Sequence, residues 1–168
     1  MASAASGDTK PDTNGGRMAD TNIDAIDELI IAELQQDGRR PYTQLAKTVG
    51  LSEAAIRQRV QRLLDAGVMQ IVAVTDPMRL GYHRAAMVGI KVDGDIRKVA
   101  EKLSKFDEVV YVVLTAGTVD LLAEVVVSND AALLELLNDR IRQIPGVQST
   151  ETSIYLNLYK QTYQWGTR

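Results

Sequence analysis

Apolar residues recur at helical spacing over residues 23–67. In the last part of this stretch they fall at i, i+4, i+7 and i+8, which gives one buried stripe along a helix. An earlier segment shows a similar stripe, and a short helical segment lies between the two. The stripe positions are Ile26, Leu29, Ile30 and Leu34 in the first helix and Ile56, Val60, Leu63 and Leu64 in the third. The pattern predicts three helices in a small module.

Residues with end-capping chemistry mark where these helices begin and end. Asp24 is the expected N-cap of the first helix, and Asp37-Gly38 ends it, since glycine readily takes the left-handed conformation after a C-terminus. Thr43 is expected to cap the short second helix. Ser52 is expected to cap the third, and Gly67 to stop it.

The third helix has a polar front opposite its apolar stripe. At 100° per residue, that side carries Ala54, Ala55, Gln58, Gln61 and Arg62, with Arg57 and Arg59 flanking it. An apolar back and an Arg/Gln front, entered by a tight turn from a shorter helix, are typical of a helix-turn-helix whose second helix fills a DNA major groove.

The periodicity changes after residue 83, where alternating strands and helical stripes follow one another. The predicted strands are 84–92, 109–115, 121–127 and 149–159, and the predicted helices are 95–106 and 130–144. This β-α-β-β-α-β order predicts a ferredoxin-like sandwich. The fold class is therefore α+β, with an N-terminal (winged) helix-turn-helix domain and a C-terminal ferredoxin-like βαββαβ sandwich.

Composition divides the chain into five expected segments. They are a disordered tail over 1–20, the helix-turn-helix domain over 21–67, a linker strand over 68–82, the sandwich over 83–160 and a C-terminal tail over 161–168. The β-branched part of the linker is expected to form either a strand or an extended connection.

The predicted sheet is apolar on both faces. Simple alternation places Val110, Val112 and Leu114 on one face of a strand and Val109, Tyr111 and Val113 on the other. Both helices of a ferredoxin-like fold cover a single face, so a second copy is the simplest cover for the other. A two-fold dimer would also present two recognition helices to a palindromic operator on double-stranded DNA.

Charge is unevenly distributed along the 168 residues. The net charge is −3, yet residues 39–64 carry six basic side chains and one acidic, so this stretch is +5 and the remainder is −8. Only the basic stretch suits a phosphate backbone. The chain lacks cysteine, a long apolar run and a signal-peptide core, so we expect a cytoplasmic, nucleoid-associated protein with no membrane partner.

Glutamine and arginine side chains of the helix-turn-helix are the main candidates for contacts with DNA. Gln58 matches adenine edges, and arginine matches guanine or phosphate. Arg59 lies beside the apolar stripe and either contacts DNA or pairs with Asp24 or Asp27 inside the module. The full set of expected DNA-binding residues is Arg39, Arg40, Thr43, Ser52, Ala54, Arg57, Gln58, Gln61 and Arg62.

A loop between two strands is the candidate ligand site. Gly117 lets the backbone turn so that N–H groups point at a ligand carboxylate, and Asp120 can then receive an α-ammonium group. The alternative is a plain hairpin turn. The expected effector-binding residues are Thr115, Gly117, Thr118, Val119, Asp120 and, on the last strand, Thr152.

Seven short stretches in order resemble the Lrp/AsnC family of bacterial and archaeal transcription factors. They are Ile23-Asp24-x-x-Asp27-x-x-Ile30, Asp37-Gly38-Arg39, Leu45-Ala46 with Val49-Gly50-Leu51-Ser52, Arg59-Val60-x-x-Leu63, Ala66-Gly67-Val68, Gly117-x-x-Asp120, and Pro145-Gly146-Val147 with Thr150 and Thr152. The resemblance runs from about residue 23 to 160. Between Gly117 and Asp120 the family often has a polar residue and an aromatic one, whereas this chain has Thr118 and Val119.

The resemblance implies a DNA-binding regulator whose ferredoxin-like sandwich is RAM/ACT-like and binds an amino acid or small metabolite. It also implies dimers that assemble into tetramers or octamers, with effector sites at contacts between dimers. Two other functions stay open: an architectural protein that compacts DNA with little sequence preference, and an amino-acid-sensing regulatory subunit of an enzyme. We expect no catalysis by the chain and no cofactor. We also expect no metal, since His83 is the lone histidine and the chain has no cysteine.

Overall fold

A computed structural model describes residues 22–162 of the chain. The predicted tail over 1–20 and most of the C-terminal tail lie outside these residues. The chain divides into two compact units, one reaching Ala73 and the other spanning Val74–Gln161, and the division falls inside the predicted linker. Each unit has its own apolar core.

Three helices form the N-terminal unit: α1 (Ala25–Gln36), α2 (Tyr42–Val49) and α3 (Glu53–Asp65). The expected caps hold at α1 and α3, where the Asp24 side chain accepts from the Asp27 N–H and the Ser52 hydroxyl accepts from the Ala55 N–H. The turn between α2 and α3 is closed by Gly50 in the left-handed region, at φ 72°. The core side chains are Ile30, Leu34, Leu45, Ala46, Ile56 and Val60.

The predicted cap of α2 was wrong. The helix begins at Tyr42, one residue before Thr43, and no side chain caps it. Pro41 stands ahead of the first turn with φ −61° and ψ 137°, and its carbonyl accepts the N–H groups of Gln44 and Leu45. The proline therefore sets the helix start and leaves Thr43 exposed in the first turn.

No strand forms between α3 and residue 83, so of the two alternatives for the linker the structure contains the irregular connection, and the described chain has no wing strand. The segment is irregular up to a short 3-10 helix, Pro77–Leu80, which Asp76 caps by accepting from the Met78 N–H. Within residues 22–162 the segment has no neighbouring strand to pair with, and Ile71, Val72 and Val74 are exposed.

A four-stranded sheet with helices on one face forms the C-terminal unit. Its elements are β1 (Arg84–Val92), α4 (Ile96–Leu103), β2 (Val109–Leu114), β3 (Leu121–Val127), α5 (Asp130–Glu135) continuing into a π-helix (Leu136–Ile141), and β4 (Val147–Ile154). The strand order is β2-β3-β1-β4 and all neighbours are antiparallel. The predicted βαββαβ order is confirmed.

Several boundaries differ from prediction. Helix α4 spans Ile96–Leu103 where 95–106 was predicted, and β4 begins at Val147 where residue 149 was predicted. Two other differences are larger. The second helix changes to π geometry at Leu136 instead of continuing as an α-helix to residue 144. The last strand ends at Ile154 because its partner β1 has few residues left beyond that point. The N–H of Tyr155 still donates to the carbonyl of Ala85, and the pairing stops there.

The helix-covered face of the sheet holds the core. Val88, Ile90, Leu121, Ala123 and Val125 are all fully buried there. The opposite face, which we call the open face, carries residues of the other parity: Met87 and Gly89 on β1, Leu122, Glu124 and Val126 on β3, and Tyr111 and Val113 on β2.

The predicted alternation of β2 was wrong at its start. A register shift between Val109 and Tyr111 makes Val110 the extra residue, so Val109 pairs with Val125 and lies on the same face as Val112.

No helix among residues 22–162 has the length and apolar character needed to cross a membrane.

Candidate functional site

The exposed side of α3 is the candidate nucleic-acid interface. Ala54, Arg57, Gln58, Gln61 and Arg62 line one shallow surface, which we call the α3 front. Gln58 is exposed and has no partner within the described chain, whereas the Gln61 amide donates to Asp65 at 2.7 Å. The predicted front is therefore brought together on one surface, with an amide side chain available to a base edge.

Arg57 is loosely held on this front. Its guanidinium donates to Glu53 at 3.0 Å and lies 5.3 Å from the ring centroid of Tyr42. The Arg57 side chain is 66% exposed and that of Glu53 is 45% exposed. An ion pair this exposed contributes little free energy to the fold. Arg57 is free to exchange this contact for DNA.

Arg59 and Arg62 are held differently, because both contact the buried Asp27. Arg59 Nη1 donates to Asp24 and to Asp27, each at 2.8 Å, and Arg62 Nη2 donates to the second oxygen of Asp27 at 2.5 Å. Of the two alternatives for Arg59, the structure contains the internal pairing. For Arg62 this pairing was not foreseen, and its contact with DNA stays a prediction.

The carboxyl groups of this cluster are electrostatically stabilised as anions. Burial alone raises the pKa of Asp27, but the hydrogen bonds from Arg62 and Arg59 outweigh burial and hold it below the ordinary 3.8. The pKa of Asp24 is also lowered, first by the Asp27 N–H and then by Arg59. Asp27 is thus a charged, fully buried residue between α1 and α3.

Acidification is expected to destabilise the N-terminal unit. Because these folded-state pKa values lie below 3.8, the stabilisation is complete above that pH and is lost as pH falls through the lower values. Thermal melting should show a steady midpoint down to about pH 5 and a falling one below about pH 4. The acid loss should be smaller in Asp27→Asn, and a loss centred between pH 5 and 7 would contradict this assignment.

The remaining predicted DNA contacts lie at helix ends. Arg39 is exposed, and its guanidinium has no partner within the described chain. Arg40 is held by Glu33 and lies 3.5 Å from the Gln36 amide oxygen. The Ser52 hydroxyl is occupied as the α3 cap, while Thr43 is exposed.

Three residues of the interface were not singled out by sequence reasoning. Lys47 is exposed on α2, and Tyr42 stacks beneath Arg57. Asp27 is fully buried next to this front, and from the sequence it was considered only as a possible partner of Arg59. Its Asp-x-x-Asp spacing from Asp24 is a capping-box pattern, which was the available signal that the carboxylate faces the protein.

The predicted effector loop, residues 115–120, joins β2 to β3 as a tight connection. The Thr115 N–H donates to the Asp120 carbonyl at 2.9 Å, and its hydroxyl donates to the Val119 carbonyl at 2.6 Å. One carboxylate oxygen of the half-buried Asp120 accepts the Val92 N–H at 2.8 Å. This bond lies where the β1–β4 register shifts, so Asp120 has a structural contact and keeps one oxygen for another donor.

Gly117 does not adopt a positive φ, and its part in binding a ligand carboxylate stays a prediction. A Cβ built at Gly117 meets no atom within 4 Å, so the loop tip is simply open. The neighbouring Thr118 is exposed.

Val119 places the loop on the open face of the sheet. A Cβ added to Gly89 would lie 3.1 Å from a methyl group of Val119, so the absent side chain of Gly89 makes room for it. Thr152 pairs with the core residue Val88 and therefore lies on the helix-covered face. The structure brings residues 115–120 together with Gly89 and does not bring Thr152 to them.

Residues 22–162 contain no cluster of three or more His, Cys, Asp or Glu side chains that would hold a metal ion.

Both units are similar to known protein families. Residues 23–64 match the AsnC-type helix-turn-helix domain, and residues 85–165 match the Lrp/AsnC ligand binding domain. The HTH-type transcriptional regulator FL11 of Pyrococcus horikoshii is 38% identical over 142 residues, covering 83% of this chain and 93% of FL11. The regulatory protein AsnC of Haemophilus influenzae is 36% identical over 136 residues, covering 79% and 91%.

A solved structure shows the same similarity. The feast or famine regulatory protein of M. tuberculosis, complexed with L-methionine, is 32% identical with a TM-score of 0.77, and the match covers 84% of this chain and 97% of that one.

Proposed function

Because the chain belongs to the Lrp/AsnC family of transcriptional regulators, we propose that its α3 front binds a specific DNA operator and that its C-terminal unit adjusts this binding in response to an amino acid. The observation that carries the proposal is the α3 front itself. Its back is buried against the core, its Arg and Gln side chains face outward, and Gln58 is unpartnered within residues 22–162. A recognition helix needs this combination.

The side chains divide into base-reading and backbone-binding groups. Gln58 and Gln61 suit adenine edges, Arg57 suits guanine, and Ala54 near the start of α3 suits a thymine methyl group. Arg39, Arg40, Thr43, Ser52 and Arg62 are assigned to phosphates, which fix the register of the protein without reading sequence.

We infer a two-fold homodimer formed through the open face of the sheet. That face carries the apolar residues Met87, Tyr111, Val113, Leu122 and Val126. Its charged residues are Glu124 at the centre, Lys91 at the end of β1 and Glu151 on the edge strand β4. Tyr111 is 51% exposed in the single chain, so a second copy would remove substantial apolar surface from water. The dimer would present two copies of α3 to a palindromic operator, and further assembly into tetramers or octamers would set their spacing.

An α-amino acid is the proposed effector, with L-methionine as the first probe because the M. tuberculosis relative is complexed with it. The second oxygen of Asp120 would receive the ammonium group, while exposed backbone N–H groups near Gly117 would meet the carboxylate. Thr118 and Val119 give the loop a small lining without an aromatic side chain.

Asp120→Asn is expected to abolish stabilisation by the effector without unfolding the loop. The amide oxygen still accepts the Val92 N–H, while the charge that attracts the ammonium group is lost. In thermal-shift measurements with millimolar L-methionine and the other amino acids, the wild-type shift should vanish in Asp120→Asn and persist in the exposed neighbour variant Asp93→Asn. A shift that survives Asp120→Asn would overturn the ammonium assignment.

Footprinting on the DNA upstream of the protein's own coding region tests the proposed function. We expect protection with a dissociation constant of about 10⁻⁸ M or tighter at about 0.15 M salt. The protected region should contain two half-sites about 10 base pairs, or a multiple of this, apart. Absence of protection at micromolar protein would reject specific regulation through this region.

A further inference from the structure

We propose that Asp27 is a positioning residue for DNA recognition, which withdraws Arg59 and Arg62 from the DNA backbone and fixes α3 against α1. The inference rests on the proposed function. It revises the assignment of Arg62 from a phosphate contact to an internal brace.

The geometry of the cluster supports this role. Asp27 has no exposed surface, and its two carboxylate oxygens are taken by two arginines one turn apart on α3. Its backbone N–H donates to Asp24, and the Asp24 N–H donates back to the Asp27 carboxylate at 3.2 Å. Asp24 also receives Arg59 at 2.8 Å. The Asp27 carboxylate is thereby fixed by the first turn of α1 and accepts hydrogen bonds from two arginines of α3.

The arginines of α3 therefore fall into two classes. Moving Arg62 onto a phosphate would leave part of a buried carboxylate without its cation, which is costly. Moving Arg57 onto DNA frees only the exposed Glu53, which water then solvates. The exposed fractions follow the same order, at 26% for Arg59, 44% for Arg62 and 66% for Arg57.

This division has an observable consequence for specificity. If Asp27 loses its charge, Arg62 becomes available to phosphates at any sequence, Arg59 keeps only the exposed carboxylate of Asp24 as a partner, and α3 loses its brace. Each new phosphate contact releases counterions, so binding to random DNA should become tighter and more dependent on salt concentration. The ratio of operator affinity to random-DNA affinity should fall. If Asp27 served folding alone, its replacement would weaken binding to operator and to random DNA by the same factor and would leave the salt dependence unchanged.

The test measures dissociation constants of the full chain for the footprinted operator and for random DNA across a series of salt concentrations. The variants are Asp27→Asn, Arg62→Gln and Arg39→Gln, the last removing a guanidinium that has no partner within the described chain. Arg39→Gln should flatten the slope of log K against log salt by about 0.9, as expected for one lost phosphate contact. Arg62→Gln should leave the slope unchanged. Asp27→Asn should steepen it by about 1–2 and lower the operator-to-random ratio roughly tenfold.

Two results would overturn the proposal. One is a slope that Arg62→Gln flattens as much as Arg39→Gln does, which places Arg62 on phosphate. The other is an unchanged slope and ratio in a folded Asp27→Asn. Should Asp27→Asn fail to fold, the comparison of Arg62→Gln with Arg39→Gln decides alone. A wild-type protein without operator preference would instead reject the proposed function, so the two failures are distinguishable.

Discussion

Arg57→Ala combined with Gln58→Ala is expected to weaken operator binding by about 2–6 kcal/mol, or roughly 30-fold or more. Each side chain can make a bidentate contact with a base edge, and each lies on the exposed front of α3. Neither side chain is part of the core, since Gln58 has no partner within residues 22–162 and Arg57 contacts the exposed Glu53 carboxylate and the outer side of the Tyr42 ring. Binding to random DNA should fall much less, because the phosphate contacts remain.

The matched control removes the same two side-chain types from the C-terminal unit. Arg97 and Gln148 are exposed there, and Arg97→Ala with Gln148→Ala should leave the footprint unchanged. Gel filtration of both double variants should give the wild-type assembly. Protection that persists in Arg57→Ala/Gln58→Ala would show that another surface reads the operator.

The largest loss of stability is expected from Leu45→Ala. Leu45 has no exposed surface and packs in the cluster formed by Ile30, Ile56 and Val60. Removing its buried methyl groups leaves a cavity that costs about 2–5 kcal/mol. The loss should be confined to the N-terminal unit, because the C-terminal unit has a separate core.

Leu29→Ala is the control for this prediction. Leu29 was predicted on the buried stripe of α1, but the structure leaves it 50% exposed in the same unit. Its cost should be about 1 kcal/mol. Hydrogen exchange followed by mass spectrometry in increasing urea would resolve the two units. Equal losses for the two leucines, or lost protection in the strands of the C-terminal unit, would argue against two separate cores.

Local signals predicted much of the fold. Asp24 and Ser52 were identified as caps because N-cap chemistry depends on neighbouring residues only. Strands β1 and β3 were predicted to the residue because alternation and turn residues bound them on both sides. The βαββαβ order followed from these elements.

Features that depend on distant partners were not predictable in the same way. The extra residue Val110 is set by pairing with β3, and the end of β4 at Ile154 is set by the start of β1. The segment after α3, predicted as either a strand or an extended connection, has the residue types of a strand, but the described chain offers it no partner strand. Alternation along one segment does not specify what lies beside it.

The candidate site shows the same limit at the level of side chains. Helical periodicity placed Gln58 and Arg62 on one front, and the structure places them there. Periodicity does not reveal that a carboxylate from α1 comes within 2.5 Å of Arg62, because that contact spans 35 positions of the chain. For a long side chain at the edge of a helix face, the contacts with distant parts of the chain decide whether it points to the interface or into the protein.

The ratio of dissociation constants for random DNA and for the protein's own upstream region, measured at about 0.15 M salt, tests the central claim most directly. A sequence-specific regulator should give a ratio of about 10³ or more. A ratio near one would contradict the account and would identify an architectural protein that binds DNA through its backbone.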